Sequence, residues 1–265
     1  MNQINIEKYS EEIVKSKPTE RVVKLIDAIR ENMLVKNKKV SYPASVLNGQ
    51  TGKLPVIIRK AMAERAKLSN APAGIWDGQI FAGCFTLREE KLVNTYALPE
   101  FAFPEEQKEG EKYGFGIYSM FGHISPDYRR LLKLGTDGIR RMVLKALGES
   151  KDERAKAFLE AVLISLEGLE NFASSHVQML LCKSRVEMDK KRKAELIRAA
   201  DALSRVPRYP AETFFEACQS AWLLHLALQL TDNYLAVGRP DQYLYPFLEA
   251  DLAAGRISVD EAQEM

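Results

Sequence analysis

The chain is poor in cysteine and histidine, with three of each in 265 residues. Cys84, Cys182 and Cys218 lie far apart and form no C-x-x-C pair. That excludes a disulfide framework and a zinc site built on cysteine pairs. An excess of one charge is lacking as well. The 38 Lys and Arg against 36 Asp and Glu leave a formal +2, and the two signs are interspersed along the chain. Neither nucleic acid nor an anionic membrane is therefore expected as a partner. No apolar run is long enough to cross a bilayer once its polar residues are counted. The segment MNQINIEKYSEEIVKSK carries charge throughout and has no apolar core of an export signal. A reducing cytoplasm fits these absences. There is no internal repeat and no low-complexity linker, so 1–265 reads as one helix-rich unit with a small extended insertion.

The most distinctive stretch that is present lies at 206–256. Within it, PAETFFEACQSAWLLHLALQL (210–230) opens with a proline at a plausible first helical position, followed by Glu212, Thr213 and Glu216 for the positive helix end. Its apolar residues fall on nearly every face, so other elements must enclose it. A polar turn, TDNYLAVGRPDQY, follows. A buried helix that delivers a polar turn is a way to present a site.

Elsewhere the periodicity predicts amphipathic helices over 18–37, 55–68, 152–184 and 186–203, a short one at 7–16, and one after 127 that breaks or bends near Gly135 and Gly138. In the 152–184 helix Phe158, Val162, Leu166, Leu169 and Phe172 share a side. A short strand is expected around 79–85. The charged, proline- and glycine-bearing 98–116 reads as a solvated loop. Cys84, Cys182 and Cys218 read as packed residues, and His225 as a core histidine. Ser258 with Glu261 has the spacing of a capping box, after which the helix stops within about two turns; the sequence looks cut inside a domain.

Four segments together resemble the glycyl radical enzymes of the pyruvate formate-lyase type: DGQIFAG (77–83), GHISPDYRRLLKLGTDGI (122–139), VPRYPAETFFEACQSAWLLHLALQL (206–230) and GRPDQYLYPFLEADLAAGRIS (238–258). They stand in the family's order, and the resemblance covers nearly the whole chain but only about the first third of a full-length member. It implies an α/β fold in which these residues are the helix-rich N-terminal portion of a ten-stranded β/α barrel. It also implies a radical held on a glycine in an R-V-x-G-aromatic motif and passed to a cysteine in a G-C-x-E loop. Neither motif occurs here. The three Arg-Val pairs continue as VKL, EMD and PRY, and Gly83-Cys84 is followed by Phe85, Thr86 and Leu87 with no glutamate at the offset.

The resemblance therefore implies that these residues supply part of a substrate pocket for a small molecule. The chain would then be a fragment, a truncated gene or one half of a split enzyme, with the thiyl cysteine and the radical glycine on a missing segment or a second polypeptide. A radical S-adenosylmethionine activating enzyme would install the radical. No cofactor or metal is expected on this chain, and a homo-oligomer is compatible with it. His123 matches a histidine that binds a substrate hydroxyl in polyol-dehydrating members; satisfying a buried carbonyl is its other reading. Ser125 and Asp127 read as caps of the next helix. Aligned back without a gap from Gly238-Arg239, the family's substrate-facing histidine and serine become Asn233 and Tyr234, which points to a substrate larger or less polar than a small polyol. Arg239, Asp241 and Gln242 match the family and would pin the turn. The alternative function is a non-catalytic binding or interaction protein of the same fold. A third, unrelated reading is an all-helical binding module that matches by accident.

Overall fold

Three aspartates set the framework. The computed structural model describes residues 17–30, 43–84, 98–114, 116, 124–231 and 235–265. Asp127, Asp152 and Asp189 each precede a helix and accept a backbone N–H of its first turn, from Arg130, Arg154 and Arg192 at 3.1, 2.9 and 2.6 Å. Such side chains satisfy donors that a helix start leaves unpaired. Among the described residues the helices are α1 (Glu20–Arg30), α2 (Val56–Asn70), α3 (Pro104–Lys112), α4 (Tyr128–Glu149), α5 (Glu153–Val186), α6 (Lys190–Arg205), α7 (Phe214–Thr231), α8 (Pro240–Tyr243), α9 (Tyr245–Ala253) and α10 (Val259–Glu264). A single parallel bridge, Ser45 to Glu100, is the strand-like pairing among them.

α5 is the spine, packed along α2 on one side and α6 on the other, with α4 against it. Gly168 allows the closest approach to α2, because a Cβ there would stand 2.9 Å from the Arg65 Cα. The main core joins Leu169, Phe172 and Leu180 of α5, Leu196 and Leu203 of α6, and Phe215, Leu223 and Leu226 of α7. Each such side chain contributes roughly 2 kcal/mol by leaving water. α7 is buried on most of its circumference, Gln219 and Ser220 included, as its all-round apolar pattern requires.

The start of α7 is held from several directions. Thr213 Oγ1 accepts the Glu216 N–H at 3.1 Å, and the buried Glu216 carboxylate accepts from Glu212 N at 2.8 Å and from the Arg205 guanidinium at 3.1 Å. Asp251 of α9, only 1% exposed, accepts the Phe214 N–H at 2.8 Å and is itself gripped by Arg256. α4 is interrupted at Gly135, whose φ of 63° and ψ of 173° are not helical. The freed backbone turns outward: Thr136 and Asp137 N–H donate to the carbonyls of Pro207 and Arg208 at 2.8 and 3.0 Å.

Several expectations need correction. α7 begins at Phe214 rather than Pro210, because Thr213 and Asp251 satisfy its first donors and leave 210–212 outside the helix. α6 begins at Lys190, after the Asp189 cap, and not at 186. The 98–116 stretch contains α3, started by Pro104 with Glu106 folding back onto the Phe103 N–H at 2.8 Å. The described part of the expected 79–85 strand, 79–84, is bent and irregular backbone rather than a strand. Cys182 is exposed, not packed, because it lies on the outer face of α5. The break near Gly135 and the Ser258–Glu261 capping box are present as expected. The 7–16 helix lies outside the described residues.

One core group makes stability sensitive to acid. His176 of α5 is fully buried, with Nδ1 2.8 Å from the Phe172 carbonyl oxygen and its ring edge-on to the Phe172 ring. Burial holds its pKa below the ordinary 6.5, against a smaller upward effect of the Phe172 carbonyl. Below about pH 6.5 the unfolded chain takes up a proton that the folded one refuses, so stability falls as the pH drops toward the folded value. Denaturant midpoints measured from pH 7 to 5 should fall more steeply for the wild type than for H176F. Parallel profiles would contradict this.

Candidate functional site

One side of the largely apolar α7 carries a row of polar-tipped residues. Gln219, Trp222, His225 and Gln229 recur at spacings of three, three and four residues, which places them on one side of a helix. Each holds a different piece of backbone or side chain. Gln219 accepts the Ala82 N–H at 2.8 Å and donates to the Ala82 carbonyl at 2.9 Å. Trp222 Nε1 donates to the Gly83 carbonyl at 2.8 Å. His225 Nδ1 lies 3.1 Å from the Tyr128 hydroxyl. Gln229 donates to the Leu235 carbonyl at 3.0 Å. One helix thus anchors three loops: 77–84, the turn before α4, and the segment before α8.

The first loop is tied further from α5 and α6. Lys183 reaches the Ile75 carbonyl at 3.2 Å, and Arg192 donates to the carbonyls of Trp76 and Gln79 at 3.0 and 2.8 Å. Gly83, at φ 113°, lies so close to Leu226 and Trp222 that a side chain would meet both. Cys84 follows it with a thiol that burial pushes up to about 11, countered in part by the Lys183 ammonium. Burial alone pushes Cys218 up to about 12. Neither thiol has the lowered pKa of an activated nucleophile.

The other two loops meet. Ala236 N–H donates to the Ile124 carbonyl at 3.0 Å, and Ser125 packs on Gly238, whose φ is 68° and where a Cβ would fall on the serine Oγ. Tyr128, 2% exposed, stacks on Tyr243 with centroids 5.1 Å apart. The Tyr243 hydroxyl donates to the Val237 carbonyl at 2.9 Å. The Trp222 and His225 rings are stacked with a 29° tilt, their centroids 6.2 Å apart. Burial raises the Tyr128 pKa and lowers that of His225, so both groups are neutral around pH 7.

The expected site residues distribute as follows. His123, Asn233 and Tyr234 lie outside the described residues, but the segments that follow them, from Ile124 and from Leu235, are the two that meet. Asp127 caps α4, whereas Ser125 makes the Gly238 contact. Arg239 forks onto Asp241 through Nε and Nη2 at 2.8 and 2.6 Å, and Gln242 N–H donates to the Arg239 carbonyl at 3.0 Å. The pair is exposed and holds the start of α8. Sequence reasoning missed the role of His225 as a partner of Tyr128; the signal was its place in a spaced row of polar-tipped residues on an apolar helix.

On the opposite side of α7, a groove of about 360 Å³ opens between α2, α5 and α7, lined by Ile57, Phe158, Leu166, Leu224 and Leu228. Among its polar groups, Ser165 and Lys60 both pair with Glu64, at 3.1 and 3.5 Å, and Thr231 donates to the Ala227 carbonyl at 2.9 Å. Among the described residues, no three His, Cys, Asp or Glu side chains are grouped to hold a metal, and no helix is long and apolar enough to cross a membrane.

The family model described as pyruvate formate lyase-like matches residues 100–265. Isethionate sulfite-lyase of Desulfovibrio desulfuricans is 35% identical over 148 residues, which cover 52% of this chain and 18% of that protein. Trans-4-hydroxy-L-proline dehydratase of Clostridioides difficile is 30% identical over 113 residues, covering 42% and 14%. The glycerol-bound B12-independent glycerol dehydratase of Clostridium butyricum superposes with a TM-score of 0.73 at 24% identity, over 94% of this chain and 38% of that one. That likeness shows the fold. The chain spans about a fifth of the length of the curated relatives.

Proposed function

This chain belongs to the pyruvate formate lyase-like family, and from that premise we propose that residues 1–265 are the N-terminal part of a glycyl radical enzyme. They supply one wall of its substrate pocket. The named relatives, a sulfite-lyase and dehydratases, support a reaction of the lyase or dehydratase class, with decarboxylation as a further member of that class. On this reading the helices are the outer layer of the first part of a ten-stranded β/α barrel. The thiyl cysteine and the radical glycine are contributed by further sequence or by a second polypeptide. A radical S-adenosylmethionine activating enzyme generates the glycyl radical, and the thiyl radical then abstracts hydrogen from a bound small molecule.

The observation that carries this reading is the meeting of the two loops, with Ala236 N–H on the Ile124 carbonyl. These loops follow directly on His123 and on Asn233 and Tyr234, the residues that the family resemblance assigns to substrate. In the proposed pocket His123 hydrogen-bonds a substrate hydroxyl, donating from one ring nitrogen or accepting at the other. Asn233 and Tyr234, standing where polyol-dehydrating members carry histidine and serine, favour a larger or less polar substrate than glycerol. Arg239, Asp241 and Gln242 keep the adjoining turn in place.

The test is anoxic co-expression with a polypeptide carrying the G-C-x-E and R-V-x-G motifs and with the activating enzyme. A glycyl doublet in the electron paramagnetic resonance spectrum of the co-purified complex is the expected result, and the chain alone should give none. A stable complex that never yields the doublet would replace this reading by the non-catalytic binding protein.

A further inference from the structure

We propose that Tyr128 is a positioning residue of this pocket, oriented by His225, and that its hydroxyl rather than ring packing alone fixes the 124–127 turn against the 235–238 segment. The inference rests on the reading of those two segments as pocket walls.

Tyr128 sits where the loops converge. It is the first residue of α4, so its backbone continues the 124–127 turn. Its ring lies on Tyr243, and the Tyr243 hydroxyl holds the Val237 carbonyl, one residue from Ala236 and its bond to Ile124. Aromatic stacking leaves a ring free to slide in its own plane; a hydrogen bond from the hydroxyl stops that motion. The bond available is to His225 Nδ1 at 3.1 Å, on a helix enclosed by the core. Trp222, whose ring faces the imidazole, is itself fixed by the Gly83 carbonyl. The imidazole therefore stands on a rigid support.

Proton bookkeeping gives the direction. If His225 Nδ1 carried the proton, the phenol would accept it, and the phenolic hydrogen would have no acceptor among the described residues. Leaving a buried hydroxyl hydrogen unpaired is costly. If Tyr128 donates to Nδ1, one bond satisfies both groups. The imidazole proton then resides on Nε2 of a half-buried ring, where water can reach it. We assign that tautomer.

The test uses residue-resolved amide hydrogen exchange on the whole chain, with Ala236 N–H as reporter and Ala82 N–H, held by Gln219 on the same helix, as control. In Y128F the stack is kept and only the hydroxyl is lost. Ala236 should exchange on the order of tenfold faster, with Ala82 unchanged. H225Q, whose side-chain carbonyl can still accept the phenol, should keep the protection, and H225A should lose it. Unchanged Ala236 exchange in Y128F, or equal acceleration at both amides, would overturn the proposal. Nitrogen chemical shifts of His225 in the unmodified chain give an independent check, because a protonated Nδ1 would overturn the assigned donor. None of these readouts uses turnover, so failure to assemble an active radical enzyme would leave them standing and would count against the proposed function alone.

Discussion

Gly135→Ala should unfold about 10 °C below the wild type, a loss of about 4 kcal/mol. Two separate costs combine. With φ 63° and ψ 173°, Gly135 occupies a backbone region that is essentially closed to residues with a Cβ. The added Cβ would also lie 2.6 and 2.7 Å from the carbonyl carbons of Tyr209 and Arg208, and nearer still to the Arg208 oxygen. Those atoms cannot withdraw cheaply, since the Arg208 carbonyl accepts from Asp137 and the Ala211 N–H donates to the Leu132 carbonyl at 3.0 Å. On the other side Thr136 and Arg140 are both bonded to Glu170, at 2.6 and 2.8 Å. The contrasting variant is Gly148→Ala in the same helix, where no neighbour lies within 4 Å. That change should be neutral or stabilising by up to about 1 kcal/mol. Thermal melts of the two variants decide the matter, and a Gly135→Ala protein as stable as the wild type would show that the break is not required.

Gln219→Leu is the second change with a large expected effect, about 3 kcal/mol. Leucine fills nearly the same volume, so packing is largely conserved. What is lost is both partners of Ala82, which is fully buried and has its N–H and carbonyl bonded to the one side-chain amide. Each orphaned backbone group costs roughly 1–3 kcal/mol. The 77–84 loop should also become the first site of proteolytic cleavage, because its tie to the centre of α7 is gone while the outer ties from Lys183 and Arg192 remain. Denaturant melts and limited proteolysis read the two effects separately. A Gln219→Leu chain within 0.5 kcal/mol of the wild type would mean that Ala82 finds other partners.

Parts of this architecture are legible in the sequence because their causes are local. An apolar pattern on every face forces the burial of α7, an aspartate before a helical pattern caps it, and Ser258 with Glu261 closes its own box. Glycine in a helical pattern near 135 signals the break but not its purpose, which lies in the carbonyls of residues more than 70 positions on. The stretch 79–85 reads as a short strand, yet its described part, 79–84, forms none. Its backbone is satisfied by side chains from positions 192, 219 and 222, and no local pattern announces that. Helix α3 was hidden by a charge run with glycine in it, although Pro104 and Glu106 mark its start. For the candidate site, the segments that follow His123 and Tyr234 meet through Ala236 and Ile124, a contact that no local pattern announces. The pairing of Tyr128 with His225 likewise depends on the fold bringing positions 97 residues apart into contact.

Asp251 gives α7 a dependence that its own residues do not show. The helix receives part of its N-terminal cap on loan from α9, and Arg256 secures the lender. α7 is therefore not a portable part. An excised or grafted version ending at Thr231 would leave the Phe214 N–H and the positive pole of the helix without that carboxylate. A transplantable piece has to run on through Arg256 and so carries the 235–239 loop with it, as one inseparable module.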